Sequence, residues 1–298
     1  MRLLLPVLAL LAVGDGAAAA PPRERTAAVG TNIDWSEREN GGPVRYRIGA
    51  VTLTLDTASD PAERDLSRTT LTVTMPGHAA LRVRGVSTNI EGVRVAVGRW
   101  GDGRPFVLFQ SFTGGAHCCS DLQLILPGRR RLRAIQVGTW DGDFRDLPTD
   151  VDGDGALDFV VPDNRFLYAF GSYAGSRAPP QIWNIVGGRS VDVSAAPRYR
   201  RLFVRAMNEE RADCLAGGAE ANSPCAAYVA AAARVGRFER AWREMLPAYE
   251  RIPAFRLPPG CQIRAELWHC PQPQWIEYSD FPTALRAFLT TTGYLPAR

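Results

Sequence analysis

Aspartates stand at positions 150, 152, 154 and 158, with Gly155 between the last two. A chain wrapping one point with this alternation turns successive carboxylates inward. Glycine after the third permits the sharp turn that aims the next carbonyl, that of Ala156, at the same point. Such a set of hard oxygen donors suits calcium, which takes six to eight oxygens at roughly 2.3–2.6 Å. Without a cation the clustered carboxylates repel one another. The expected ligands are therefore Asp150, Asp152, Asp154, the Ala156 carbonyl and Asp158, with Ca2+ as cofactor. An EF-hand is excluded, because Val161 stands where that loop needs its bidentate Glu, and Leu157, Phe159, Val160 and Val161 read as a strand rather than a helix.

The second chemically unusual stretch is Gly114-Gly115-Ala116-His117-Cys118-Cys119. A histidine beside two thiols could bind a soft metal or serve a thiolate nucleophile. Adjacent residues ligate one ion with poor geometry, however, and no C-x-x-C partner follows, so a disulfide is the favoured state. Only His78, His117 and His269 are present. The chain has no G-x-S-x-G, H-E-x-x-H or Walker-type loop. Asp141, Asp143, Asp146 and Asp163 could supply a further ligand to the loop; Asp141-Gly142 also makes a good turn dipeptide, which is the preferred reading. Tryptophans such as Trp35, Trp140, Trp183, Trp242 and Trp275 are read as core rather than as a sugar groove.

The compartment follows from the N-terminus. Arg2, the apolar run from Leu3 to Val13 and the small residues Ala17 to Ala20 predict a signal peptide over residues 1–20. That run is short of the about 20 residues a membrane helix needs, and no later stretch reaches it, so no transmembrane segment is expected. A periplasmic or secreted location makes the six cysteines readable as disulfides. Spacing pairs Cys214 with Cys225 and Cys261 with Cys270. Cys118 and Cys119 either bond each other or reach distant partners. With 35 basic against 31 acidic residues, a net charge of +4 is too even to indicate nucleic acid. Arg129-Arg-Arg-Leu-Arg133 reads as a solvated turn.

Short alternating or β-branched runs fill residues 43 to about 206: Val44–Leu55, Thr69–Met75, Leu81–Gly85, Val93–Val97, Phe106–Phe112, Leu122–Leu126 and Leu132–Val137. Turn residues separate them, which predicts antiparallel sheet. From about 207 the pattern becomes helical. Ser223-Pro224 marks a helix start, Gly236 a break, Phe238 to Leu246 a second apolar stripe, and Asp280 to about Thr292 a last helix stopped by Gly293. The expected fold class is α+β: mainly antiparallel β, propeller-blade-like or sandwich, over residues 21–206, then a helical, cysteine-containing region over 207–298 packed on it.

The loop with the strand Leu157-Asp-Phe-Val-Val161 behind it resembles FG-GAP or VCBS-type repeats, the calcium-loop blades of integrin-like β-propellers. The resemblance spans about residues 105–171 and implies that Asp150, Asp152, Asp154, Asp158 and the Ala156 carbonyl hold calcium. The loop occurs once, which points to a structural staple rather than to recognition. The functional expectation is a non-enzymatic, calcium-binding exported protein, a binding or envelope-associated module with a protein or glycan ligand. The alternative is a secreted hydrolase using an acidic pair.

Overall fold

The computed structural model describes residues 21–59, 66–88, 92–142, 144, 146–253, 255–263 and 269–297. The expected signal peptide and Asp143 lie outside the described residues.

Two five-stranded sheets are built from alternating sequence. The first contains β1 (Arg23–Thr26), β3 (Val44–Ile48), β4 (Val51–Ser59), β5 (Ser67–Thr74) and β6 (Leu81–Thr88), in that spatial order. The second runs β10 (Leu132–Trp140), β9 (Ser120–Pro127), β8 (Pro105–Phe112), β7 (Val93–Arg99) and β2 (Asn32–Trp35), with the short helix α1 (Glu37–Asn40) following β2. All pairings are antiparallel except β1 with β3. Val44 to Leu55 is a hairpin rather than one run. The chain folds back at Gly49, whose φ of 58° is left-handed and free of cost for glycine.

Side chains two apart share a face of a strand. Val44, Tyr46 and Ile48 of β3, and Val51, Leu53 and Leu55 of β4, therefore bury against Val93, Val95 and Val97 of β7 and against Val107 and Phe109 of β8. This is the sandwich core. The intervening residues of β8, Phe106 and Leu108, point the other way. With Leu122, Leu124 and Trp140 they meet a third sheet. That sheet consists of β11 (Phe159–Pro162), β12 (Pro180–Val186) and β13 (Arg189–Asp192). The second sheet is thus covered on both faces, which is why β8 reads as a nearly unbroken apolar run. No closed barrel or propeller is formed among the described residues.

Helices α2 (Arg200–Ala216), α3 (Asn222–Arg234), α4 (Phe238–Met245) and α5 (Phe281–Thr291) follow, with a small ribbon of β14 (Gly260–Cys261) and β15 (Trp275–Ile276) between the last two. Helix α2 begins upstream of the expected change near residue 206 and runs through it. Helix α3 is buried all round, from Asn222 to Ala232, as an alanine-rich helix must be when neighbours cover every face. Ser223 is not its N-cap, since the helix starts one residue earlier; the Ser223 hydroxyl instead accepts the Arg177 N–H at 2.7 Å. Asp280 does cap α5, accepting from the Thr283 N–H at 2.8 Å. Disulfides join Cys118 to Cys119, Cys214 to Cys225 and Cys261 to Cys270. The second ties α2 to α3.

Glu244 of α4 ties three helices together. It accepts from Arg211 of α2 at 2.7 Å, from Arg240 at 2.9 Å and from the Tyr228 hydroxyl of α3 at 2.7 Å. These donors pull its carboxyl from the ordinary 4.5 to about 2. Because the folded pKa is depressed, this stabilisation is complete above the unfolded value and fades as pH falls from 4.5 toward about 2. Glu244→Gln should lower the urea midpoint at pH 7 and flatten its decline across that acid window. Parallel acid profiles for variant and wild type would contradict it.

Candidate metal centre

The loop between β10 and β11 is closed by mutual backbone bonds between Thr149 and Asp158, at 2.8 and 3.4 Å. Inside it the aspartates fold the chain by accepting its amides. Asp150 takes the N–H groups of Gly153 and Gly155 at 2.8 and 2.9 Å, Asp152 that of Asp154 at 3.0 Å, and Asp154 that of Ala156 at 2.8 Å. Gly153 and Gly155 both hold φ of 83°, a region closed to most side chains.

Asp150, Asp152 and Asp158 each bring a carboxylate oxygen within 4.8 Å of the others. Asp154 stands outside this group, and the Ala156 N–H donates to Asp154 rather than to any of the three. Asp158 is buried. Its Oδ2 accepts the Val151 N–H at 2.8 Å, and its Oδ1 accepts from Asn184 at 2.6 Å and from the Tyr199 hydroxyl at 2.5 Å. The Tyr199 phenol is held neutral, its pKa driven far up first by burial and then by the bond to Asp158. Asp152 Oδ2 is buried and receives no aligned hydrogen bond, although Arg198 Nε approaches to 2.5 Å in a charge contact. An all-oxygen cluster suits a hard cation, which would share Asp152 with the Arg198 guanidinium. Asp163 does not join it; both its oxygens serve Arg165, and one also takes the Tyr294 hydroxyl at 3.0 Å.

A second constellation was not visible in sequence. His117 Nδ1 lies 3.0 Å from each oxygen of Asp141, and its Nε2 lies 2.9 Å from the Tyr168 hydroxyl. The carboxylate can only accept, so Nδ1 carries a proton, and in the neutral ring Nε2 is then the acceptor facing the Tyr168 hydroxyl. Tyr173 stacks on the imidazole at 3.7 Å between ring centroids and donates its hydroxyl to Asp141 at 2.8 Å. Burial, followed by that bond, pushes the Tyr173 phenol up to about 12, so it remains a donor. Tyr168 is 51% exposed and has a left-handed φ of 59°, which costs a bulky residue on the order of 1 kcal/mol. A cavity of about 500 Å³ opens beside His117 and Tyr173 and includes Asp34, Glu39, Arg94 and Phe112 in its wall. Partners 24 and 51 residues from His117 explain why spacing did not reveal the group.

The geometry defines an antiparallel β protein with an acidic, cation-compatible loop and a disulfide-tied helical layer. Residues 201–293, which run from α2 to just past α5, match the family described as the sll0997 C-terminal domain. The chain is 36% identical over 199 residues to the Synechocystis sp. protein named Probable thylakoid lumen protein sll0997, covering 65% of this chain and 58% of that protein. It is 32% identical over 193 residues to an uncharacterized Sinorhizobium fredii protein, y4bJ, covering 64% of this chain and 30% of the relative. The chain thus spans less than two thirds of either relative. No solved structure matches.

The Tyr199–Asp158 bond is a charge-assisted contact to a buried carboxylate. Tyr199→Phe should cost about 1.5–3 kcal/mol in urea unfolding at neutral pH. A loss within a few tenths of wild type would show that the carboxylate is satisfied without it.

Proposed function

We propose that this is an exported, calcium-stapled protein, an envelope-associated binding module whose loop is of the FG-GAP/VCBS type. The observation that carries this reading is the convergence of carboxylate oxygens of Asp150, Asp152 and Asp158 within 4.8 Å of one another. In this reading Asp154 and the Ala156 carbonyl complete the coordination with water, which calcium's flexible shell permits. Export is supported by the N-terminal sequence, by three disulfides and by similarity to a cyanobacterial protein named for the thylakoid lumen. Among the described residues no helix is long and apolar enough to cross a membrane. The staple reading rests on Asp158, which links the loop to β12 through Asn184 and to the entry of α2 through Tyr199. The ligand is a protein or glycan of the envelope.

Exported modules bind calcium with Kd of roughly 10⁻⁴–10⁻³ M. At about 10 mM calcium, mass action then adds about 1.4–2.7 kcal/mol to stability. A rise in Tm of roughly 3–10 °C should appear, reversed by a chelator and absent in Asp150→Asn. An unchanged Tm on calcium addition, or an equal rise in Asp150→Asn, would remove the proposal.

A further inference from the structure

Tyr168, His117 and Asp141 stand in the order hydroxyl, imidazole, carboxylate, with 2.9 Å from Tyr168 Oη to Nε2 and 3.0 Å from Nδ1 to Asp141. This is the arrangement by which a base activates a hydroxyl nucleophile: one ring nitrogen takes the proton while the carboxylate fixes the tautomer and stabilises the imidazolium. The carboxylate is itself held, by the Tyr173 hydroxyl at 2.8 Å, and Tyr173 stacking fixes the ring plane. The neighbouring sulfurs are committed to the Cys118–Cys119 bond, so no thiolate competes. Half-exposed Tyr168 is open to a reactant, and His117 and Tyr173 are part of the wall of the cavity of about 500 Å³, a volume suited to a small molecule.

The cavity reaches His117 and Tyr173 while Tyr168 stands outside its lining, so the charge of its wall acts on a reactant held beside His117. Among the described residues of the wall the one arginine, Arg94, is engaged by Asp34 at 2.8 Å, and Asp34 and Glu39 both line the cavity. Asp141 lies immediately behind His117. Phosphate esters and other anions meet an excess of negative charge among the described wall residues, whereas an uncharged ester meets aromatic rings and no repulsion.

We propose that Tyr168–His117–Asp141 is an acyl-transfer site for small uncharged esters, with Tyr168 as nucleophile. Tyr168 Oη bonds to the acyl carbon as its proton passes to His117 Nε2. The ester C–O bond breaks, and the leaving oxygen takes that proton from Nε2. Water then attacks the acyl-phenol ester and gives its proton to the same nitrogen, and Tyr168 Oη departs and recovers it. Tyr168 and His117 are the catalytic residues; Asp141 is a positioning residue. This goes beyond the calcium reading and uses none of its residues, so either can fail alone.

The test uses the full oxidised chain and p-nitrophenyl acetate, following nitrophenolate release and mapping acetyl groups by peptide mass spectrometry. The chain contains no lysine, so no lysine amine takes up the label. Tyr168 should be acetylated at least about 100-fold faster than free N-acetyltyrosinamide, the scale of a positioned base. His117→Gln should bring it to within about tenfold of that model phenol, and Tyr168→Phe should remove the label, both at unchanged Tm. Asp141→Asn should slow acylation at unchanged half-saturation. Acetylation of Tyr168 no faster than the free phenol overturns the proposal without recourse to variants. So does a His117→Gln protein that labels like wild type.

Discussion

A single buried carboxylate, that of Asp158, organises the junction of loop, sheet and helix. A charge taken out of water costs several kcal/mol unless its lone pairs are filled. Asp158 is 1% exposed, and its oxygens are filled from three directions: the Val151 N–H in its own loop, the Asn184 amide on β12 and the Tyr199 hydroxyl at the entry to α2. Losing any one of these donors leaves part of a buried charge unfilled. The loop, β12 and the entry to α2 are thereby tied to one carboxylate. A cation at Asp150, Asp152 and Asp158 would draw further on the same carboxylate, coupling ion binding to the seam where sheet meets helix.

The layering explains why that seam needs such a lock. The second sheet spends both faces on packing, one against the first sheet and one against β11 and β12. Beyond these layers the helices share a separate core with Phe166, Phe170 and Ile182. Ring contacts of Phe166 and Phe170 with Phe288, 4.9 and 5.1 Å between centroids, carry the apolar side of that junction. Polar groups carry the remainder. Arg165 is pinned by Asp163 and reaches the Thr292 carbonyl at 2.8 Å, while the Tyr294 hydroxyl returns to Asp163. Two buried aspartates, 158 and 163, therefore bracket β11, and each accepts a tyrosine hydroxyl from the helical region.

What sequence could reveal divides along physical lines. Strand existence and the last helix were legible, because period-two alternation and the Asp280 cap are local signals. Helix α2 was less so. Its buried positions are only Phe203, Met207 and Cys214, a stripe too narrow to stand out among arginines and glutamates. The start of α3 was misplaced because Ser223, a good cap by type, is drawn away by the Arg177 amide, a tertiary partner no local rule supplies. Two of the disulfides are the pairs that spacing indicates, and Cys118 and Cys119, which spacing leaves open, bond each other. The acidic loop was legible as a cluster, but the exclusion of Asp154 from the convergent set was not. The His117 group was illegible because its members lie on separate connections.

One connection carries both constellations. Residues 141–158 cross from the end of β10 to the start of β11, a stretch that must offset substantial backbone entropy to stay in place. It is held at each end by aspartates acting as acceptors. At its start Asp141 takes the His117 Nδ1–H and the Tyr173 O–H, while the Gly142 N–H reaches the His117 carbonyl at 3.1 Å and the Gly142 carbonyl takes the Ser120 hydroxyl at 2.5 Å. At its end Asp150, Asp152 and Asp158 take backbone amides and bring carboxylate oxygens within 4.8 Å of one another. The two ends differ in what remains. Both Asp141 oxygens face the imidazole, and one also takes the Tyr173 hydroxyl, so no cation is needed there and the carboxylate can act on the ring. Asp152 Oδ2 lacks an aligned donor, so the loop end is where an ion has something to add. The same residue type thus meets a histidine and a tyrosine at one end and its own loop's amides at the other, and the difference lies in which donors the fold has placed beside each carboxylate.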